Sequence, residues 1–325
     1  MVKSRIIAFV ACLAIYFTMT IHSRAEDTKL TVMVFRGGQN LPLFAAQAKG
    51  FFAKRGLSIE VKFASSAAEL PVGLADGRWQ IIHSTSDNAV GIVKVNKLDV
   101  ALVIGGDTAF NHVIVQPDIQ TLAELRGKTI VLDTANSGYA YMFYALLKKN
   151  GLNKGDYTVK TVGATPRRLE AMQKDKDNKA AVLNPPFAFQ AVQAGLKDMG
   201  TTVKMMGPYQ GTAGYTLRSW AKDNRDTLVK YLQAYIEGLR WVLDPANKDE
   251  ATKLLSGRLE LPPDIAASVY AVVADKKEGF AKDGKFDLEG FKNVLELRAE
   301  YEGGTSTTPE QYLDLSYYQR ALTGL

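Results

Sequence analysis

Cysteine and histidine are scarce in this sequence. The 325 residues include one cysteine, Cys12, and three histidines. Cys12 lies in an apolar N-terminal segment, so the rest of the chain has no thiol for a disulfide bond, a thiolate metal site or a cysteine nucleophile. After that segment His83 and His112 remain, which are too few for a histidine-rich metal site. We therefore expect no metal ion and no cofactor.

The sequence also lacks long charged and apolar runs. The formal net charge is +6, and the charged residues are interspersed, without the basic tract that is typical of nucleic-acid binding. Beyond residue 25 no apolar run reaches the roughly 20 residues of a membrane-spanning helix. The phosphate-loop motif GxxxxGKS/T and the nucleophile-elbow motif GxSxG are missing as well. We expect no nucleic-acid partner and no catalytic residues.

The first 25 residues have the pattern of a secretory signal peptide. Lys3 and Arg5 precede an apolar run at 6–21, and Ser23 and Ala25 are small residues before a possible cleavage site. The pattern predicts a soluble periplasmic protein whose mature chain begins near Glu26. The alternatives are a membrane anchor that is retained and a lipid attached to Cys12.

Strand-like and helix-like segments alternate along the chain in two successive series. Short connections in such an alternation predict an α/β fold, with a mostly parallel sheet covered on both faces in each of two lobes. The predicted strands of the first series are 30–35, 57–63, 81–82, 100–104 and 112–115. Those of the second series are 129–132, 158–162, 180–183 and 202–206.

The pattern changes after about Trp220. Residues 223–243 have apolar side chains at helical spacing, and further helical segments follow to the end. Such a helical tail cannot extend the second sheet, so we expect it to cross back and pack on the first lobe. The predicted division is a signal peptide at 1–25, the first part of lobe 1 at 26–117, lobe 2 at 118–214, and a return to lobe 1 with the helical tail at 215–325.

Polar and glycine-bearing segments follow several predicted strands. In an open parallel sheet small ligands bind beyond the carboxyl ends of the strands, and helix starts offer unpaired backbone N–H groups there. The repetition of this chemistry at several strand ends predicts a ligand-binding site. The candidate ligand-binding residues are Arg36, Gly38, Gln39, Asn40, Ser84, Thr85, Ser86, Asp87, Asn88, Asp107, Asn136, Ser137, Gly138, Tyr139 and Asn184.

These candidates have structural alternatives. Asp87 and Asn136 could instead cap helices, and Gly138 could serve a tight turn. Tyr139 could stack on a ligand or be the first core residue of its helix. Arg36 could pair with an anionic ligand or lie in solvent at the rim.

Three segments carry a resemblance to a known family. The segments "LPLFAAQAKGFFAKRGLSIEV", "LAELRGKTIVLDTANSG" and "AAVLNPPF" resemble the solute-binding proteins of bacterial ABC importers. The nearest branch is the nitrate, sulfonate and taurine group, which shares its fold with hydroxymethylpyrimidine-binding proteins. The resemblance, from about residue 30 to 220, implies a periplasmic-binding-protein-like clamp of two lobes with two crossovers (type II). It also implies hinge closure over a small-molecule solute, with a membrane permease and an ATPase as partners of a monomeric, non-enzymatic protein.

The identity of the solute stays open at this point. An oxyanion such as a sulfonate would use the helix starts and Arg36, whereas a flat aromatic or pyrimidine-like solute would use Tyr139 and Phe187. A cysteine-independent lyase or hydrolase, or a sensor domain on the same fold, is the alternative function.

Overall fold

The computed structural model describes residues 27–325. The predicted signal peptide and the cleavage site before Glu26 lie outside the described residues. Residues 27–325 contain ten strands: β1 (Thr28–Val34), β2 (Leu57–Phe63), β3 (Ile81–Thr85), β4 (Val100–Ile104), β5 (His112–Val115), β6 (Thr129–Leu132), β7 (Thr158–Thr161), β8 (Asn178–Leu183), β9 (Lys197–Thr201) and β10 (Thr212–Leu217).

The α-helices connect and cover these strands. They are α1 (Leu41–Ala48), α2 (Glu69–Ala75), α3 (Ser86–Asn96), α4 (Gly138–Lys149), α5 (Thr165–Lys174), α6 (Phe187–Gln193), α7 (Thr202–Met206), α8 (Arg218–Asp223), α9 (Arg225–Leu243), α10 (Lys248–Leu259), α11 (Pro263–Val273), α12 (Leu288–Glu302) and α13 (Ser316–Thr323).

The strands form two five-stranded sheets, which define two lobes. The first sheet has the order β2-β1-β3-β10-β4, and the second has the order β7-β6-β8-β5-β9. β10 is antiparallel to both of its neighbours in the first sheet, and β5 is antiparallel to both of its neighbours in the second. The sheets are therefore mixed rather than mostly parallel, because each includes one strand that arrives from the other lobe. The two crossovers and the α/β architecture are confirmed.

The crossovers lie earlier in the chain than the predicted lobe borders. The border at 117 assigned β5 to the first lobe, but β5 pairs with β8 and β9 of the second sheet. Likewise β10 begins at Thr212 and pairs with β3 and β4, ahead of the border at 214. A buried strand has the same apolar pattern in either sheet, so the sequence pattern does not reveal which sheet it joins.

The predicted strand at 202–206 is wrong, because these residues form α7. The edge strand of the second sheet is β9, five residues earlier, and it pairs with β5 alone among the described strands. The sequence of β9 is KDMGT, which is largely polar and has no apolar run. Residues 202–206 contain a valine and two methionines, which suggested a strand where the structure has one short helix.

The helical tail packs mainly on the first lobe, as expected. Leu228, Leu232 and Ile236 of α9 are fully buried against strand residues of the first sheet, and each such side chain contributes roughly 1.5–3 kcal/mol by leaving water. α12 packs on α3 but also reaches α4 of the second lobe. In the described part of the chain, none of the helices has the length and apolar character needed to cross a membrane.

Candidate functional site

A pocket lies between the two lobes, near the carboxyl ends of β1, β3, β6 and β8, and its empty volume of about 460 Å³ includes space that is open to solvent. Both lobes contribute side chains to its wall. The first lobe contributes Phe35, Gln39, Ser84, Thr85, Asn88 and Thr212. The second lobe contributes Asp133, Ser137, Tyr139, Ala164, Thr165, Arg168 and Asn184.

The junction of β3 and α3 forms the first-lobe side of the pocket. All five residues of β3 are buried, and the strand passes directly into α3 with Thr85 at the N-cap position. The Ser84 hydroxyl lies 2.8 Å from the hydroxyl of Tyr215, and Asn88 Nδ2 donates to Ser84 Oγ at 3.2 Å. These hydrogen bonds hold the side chains of the first turn of α3 in place at the pocket wall.

The junction of β6 and α4 forms part of the second-lobe side. Ser137 caps α4, because its Oγ accepts from the Ala140 N–H at 3.2 Å. The same hydroxyl donates to Asp133 Oδ1 at 2.5 Å, which closes the turn between the strand and the helix. Gly138 lies against Asp87 of the first lobe, where an added Cβ would be 2.6 Å from the Asp87 Cβ. Glycine therefore allows the starts of α3 and α4 to approach each other.

Arg168, in the first turns of α5, is the functional candidate that the sequence analysis missed. The side chain is 2% exposed, and its Nη2 donates to Thr165 Oγ1 at 2.7 Å. Its Nη1 lies 3.6 Å from Asp133 Oδ1, and its Nε has no hydrogen-bond partner among residues 27–325. Burial lowers the pKa of the Arg168 guanidinium, and the nearby Asp133 carboxylate opposes that shift. A buried cation with an unpaired donor favours an acceptor that enters the pocket.

The helical spacing of α5 contained a signal for Arg168. The buried positions of this helix are Thr165, Arg168, Leu169 and Met172, which follow the i, i+3, i+4, i+7 pattern of an apolar face. An arginine at one of these positions must lie inside the protein, where arginine is uncommon unless it is paired.

Tyr139 and Phe35 give the pocket two aromatic surfaces. The guanidinium carbon of Arg168 lies 5.6 Å from the centre of the Tyr139 ring, within the range of a cation–π contact. Burial raises the pKa of the Tyr139 phenol, and the nearby Arg168 guanidinium opposes this shift. Tyr139 therefore stays neutral and faces Arg168 rather than the helix core.

Seven of the predicted ligand-binding residues line the pocket, and eight do not. The seven are Gln39, Ser84, Thr85, Asn88, Ser137, Tyr139 and Asn184. Those outside the lining are Arg36, Gly38, Asn40, Ser86, Asp87, Asp107, Asn136 and Gly138.

Several residues outside the lining have structural partners instead. Arg36 points toward α10, where its Nη2 donates to the Leu259 carbonyl at 2.9 Å. Asp107 accepts from the backbone N–H groups of Ala109 and Thr212, at 2.8 and 3.1 Å, and so shapes the crossover segments. Asn136 is exposed and does not cap α4, because Ser137 occupies the cap position.

Ser86, Asn40 and Gly38 likewise make protein contacts. Ser86 Oγ donates to the Gln210 carbonyl at 2.6 Å, and Asn40 Nδ2 donates to the Phe35 carbonyl at 2.7 Å. The Gly38 N–H donates to the carbonyl of Pro185 in the second lobe at 3.0 Å. These residues support the wall of the pocket from behind.

The two lobes touch each other around the pocket. Asn184 Nδ2 of the second lobe lies 3.3 Å from both the Arg36 carbonyl and Gln39 Oε1 of the first lobe. On another side, the Ala164 N–H donates to the Ser65 carbonyl at 3.2 Å. The two lobes of the clamp are therefore in direct contact on these sides of the pocket. Within residues 27–325, no cluster of three or more histidine, aspartate or glutamate side chains could hold a metal ion.

The fold is that of a periplasmic binding protein, as the solved structures of three other proteins show. One is the periplasmic nitrate-binding protein NrtA from Synechocystis PCC 6803, with a TM-score of 0.77 and 15% identity over 92% of this chain and 89% of that chain. Another is the periplasmic aliphatic sulphonate binding protein SsuA from Escherichia coli, with a TM-score of 0.70 and 16% identity over 88% of this chain and 92% of that chain. The desulfurization enzyme DSZB is also similar, with a TM-score of 0.63 and 11% identity over 90% of this chain and 99% of that chain.

At the sequence level, residues 23–256 match the NMT1-like family. The chain belongs to this family. No curated protein matches the chain in sequence.

Proposed function

We propose that this protein is the extracytoplasmic solute-binding component of an ABC import system. The observation that carries the proposal is the pocket, because both lobes line it with hydrogen-bonding side chains and the lobes close around it. NrtA and SsuA, which share the fold, are periplasmic binding proteins by name. The signal-peptide pattern of residues 1–25 agrees with a periplasmic location, where the closed protein would deliver its solute to a membrane permease driven by an ATPase.

The solute that fits the pocket best has a small oxyanionic head group and an apolar or flat body. The head group would accept hydrogen bonds from Arg168 and from hydroxyls such as Ser84 and Thr165, while the body would lie against Phe35 and Tyr139. Because Asp133 also lies at the pocket wall, a singly charged head group such as a sulfonate or nitrate is favoured over a dianion.

The likeness to DSZB raises the possibility of an enzyme on the same fold. The described residues do contain a histidine–carboxylate pair, in which His112 Nδ1 lies 2.7 Å from Asp198 Oδ2. Neither residue lines the pocket, so this pair is not placed to act on a bound solute. We therefore favour binding without chemical change of the solute.

Titration of the exported protein tests the proposed solute class. Calorimetry with nitrate, ethanesulfonate, benzenesulfonate, sulfate and a neutral pyrimidine should show stoichiometric binding of a monoanion and weaker binding of sulfate. Mass spectrometry of the mixture should recover the solute unchanged. Turnover of a panel member would contradict the proposal and favour the enzyme.

A pair of adjacent arginines provides a matched comparison. Arg168→Met should weaken binding of the preferred monoanion roughly ten- to 150-fold, because a buried charge-assisted hydrogen bond contributes about 1.5–3 kcal/mol. Arg167→Met removes the same charge from an exposed neighbour and should leave the affinity unchanged. Equal affinities in the two variants would show that Arg168 does not bind the solute.

A further inference from the structure

Helix α12 of the C-terminal tail contacts both lobes. Its first turns carry Phe291, Val294 and Leu295, which are buried in the hydrophobic core of the first lobe. Its last turn carries Tyr301, which packs against the hydrophobic core of the second lobe. The helix is therefore anchored in one lobe and ends on the other.

Tyr301 stacks on Tyr141 of α4 and packs at a tilt against Tyr144 of the same helix. Its ring centre lies 5.8 Å from that of Tyr141, with 7° between the ring planes, and 5.6 Å from that of Tyr144. The ammonium group of Lys154 lies 5.2 Å from the centre of the Tyr301 ring, on the second-lobe side. These contacts cross from one lobe to the other and lie outside the pocket.

Arg298, one turn earlier in α12, makes a second connection between the lobes. Its side chain is 4% exposed, its Nε lies 3.4 Å from Asp87 Oδ1 of α3, and its guanidinium carbon lies 5.3 Å from the centre of the Tyr141 ring of α4. Its Nη1 also lies 3.1 Å from Glu302 Oε1 on its own helix. The guanidinium thus joins a carboxylate of the first lobe to an aromatic ring of the second.

The residues that α12 holds together are close in sequence to the pocket wall. Asp87 lies between Thr85 and Asn88, which line the pocket, and Tyr141 follows Ser137 and Tyr139 in the first turn of α4. If the lobes move apart, Tyr301 must leave the rings of α4, because Phe291 and its neighbours keep α12 on the first lobe.

We propose that Tyr301 and Arg298 are positioning residues for solute capture, which hold the starts of α3 and α4 together from outside the pocket and so stabilise the closed clamp. This inference rests on the proposed function, since closure matters for a protein that encloses a solute. The tail is then part of the closing device as well as a cover for the first sheet.

The distance between the lobes tests the role of Tyr301 without a solute. Residues 26–325 contain no cysteine, so spin labels on Ser58→Cys of the first lobe and Lys176→Cys of the second would be the labelled sites. Pulsed electron resonance then gives the ratio of open to closed protein. Tyr301→Leu should raise this ratio about two- to tenfold, the change expected from the loss of an aromatic pair.

Two further variants separate closure from general stability. Tyr301→Phe retains the ring and removes a hydroxyl that has no partner among residues 27–325, so it should keep the wild-type ratio. Tyr157→Leu also removes a ring from Tyr144, at 6.2 Å, but lies wholly within the second lobe. It should lower the melting temperature without opening the clamp.

Equal ratios in the wild type and in Tyr301→Leu would overturn the inference, and so would the same increase in Tyr157→Leu. Because the measurement uses no solute, its outcome is independent of the titrations that test the proposed function. A protein that binds none of the compounds could still show the Tyr301 effect, and a protein that binds one could lack it.

Discussion

At the scale of single residues, burial sets the ionisation of several side chains behind the pocket. Desolvation raises the pKa of Asp87 to about 6, and the guanidinium of Arg298 opposes this shift. Desolvation also lowers the pKa of His83 to about 3. His83 is on β3 next to Ser84, and its Nε2 lies 2.9 Å from the hydroxyl of Tyr231. This histidine is a packed core residue, 3% exposed, and it is neutral at physiological pH.

The neutral state of His83 predicts a loss of stability in acid. Its pKa is about 3 in the folded protein and 6.5 as its ordinary value, so the unfolded chain binds the proton first as the pH falls. The contribution of His83 is therefore fully present above pH 6.5 and is lost as the pH falls toward 3, by about 1.4 kcal/mol per pH unit. Denaturant unfolding at pH 7, 6, 5 and 4 measures this loss.

His83→Gln is the variant that isolates this effect. Glutamine does not titrate and can still form a hydrogen bond with Tyr231. The unfolding free energy of the wild type minus that of the variant should fall steadily from pH 6 to pH 4. Parallel pH profiles would mean that His83 is not buried as a neutral group.

At the scale of helices and strands, the sequence predicted the strands that have a clear local pattern. β2, β4, β5 and β6 were predicted with the bounds that the structure has, because each is an apolar run or an alternating pattern bounded by turn residues. β9 and β10 were not predicted: β9 is a polar edge strand, and β10 (TAGYTL) contains a glycine and two threonines. Their pairing depends on the crossovers, which are tertiary and leave no local pattern.

The same distinction explains the prediction of the pocket. Ser84 lies near the end of β3 and Ser137 lies in the short loop between β6 and α4, so their place at the rim could be predicted from strand order alone. Thr212 was missed because β10 was missed. Arg168 was missed because it lies within α5, whereas the predicted candidates came from the polar segments that directly follow strands. Whether a polar side chain at a strand end faces the pocket or the protein, as for Arg36, depends on the packing of α10, which lies far away in sequence.

Gly138, the first residue of α4, gives a prediction at this scale. An added Cβ would lie 2.6 Å from the Cβ of Asp87, which is too close, so Gly138→Ala should push the starts of α3 and α4 apart. Closure and solute affinity should then fall, although alanine is the better helix former by about 0.5–1 kcal/mol. The spin-label distance and calorimetric titration measure the two effects.

Gly257 is the matched control for this prediction. It is an exposed glycine within α10, and an added Cβ there meets no atom within 4 Å. Gly257→Ala should raise the melting temperature and leave both the lobe distance and the affinity unchanged. If Gly138→Ala behaves in the same way, the close approach of the two helix starts does not limit closure.

At the scale of the whole molecule, the two lobes differ in how the chain builds them. All strands of the second sheet lie between His112 and Thr201, in one continuous segment. The first sheet combines β1 to β4 with β10, and its core is completed by α9 and α13 from the tail. Folding of the first lobe therefore brings together segments that are far apart in the sequence, which costs conformational entropy. The second lobe depends mainly on segments that are close in the sequence.

This asymmetry predicts that the second lobe can fold by itself and the first cannot fold without the tail. A fragment of residues 111–207 retains β5 to β9, α4 to α7 and the buried residues that these elements share, such as Val113, Leu132 and Phe143. It loses the cover that Tyr301 provides for Tyr141 and Tyr144, so its melting temperature should be lower than that of the full chain.

In contrast, a chain that ends at residue 224 keeps every strand of the first sheet but exposes Val32 and Val103 where α9 packs, and its first lobe should not fold. Circular dichroism during heating should show a cooperative transition for the fragment 111–207. Limited proteolysis of the chain that ends at 224 should leave only the second lobe intact. A fragment 111–207 without a cooperative transition would show that the lobes stabilise each other across the pocket even before a solute binds, since the second sheet and its own helices would then be insufficient.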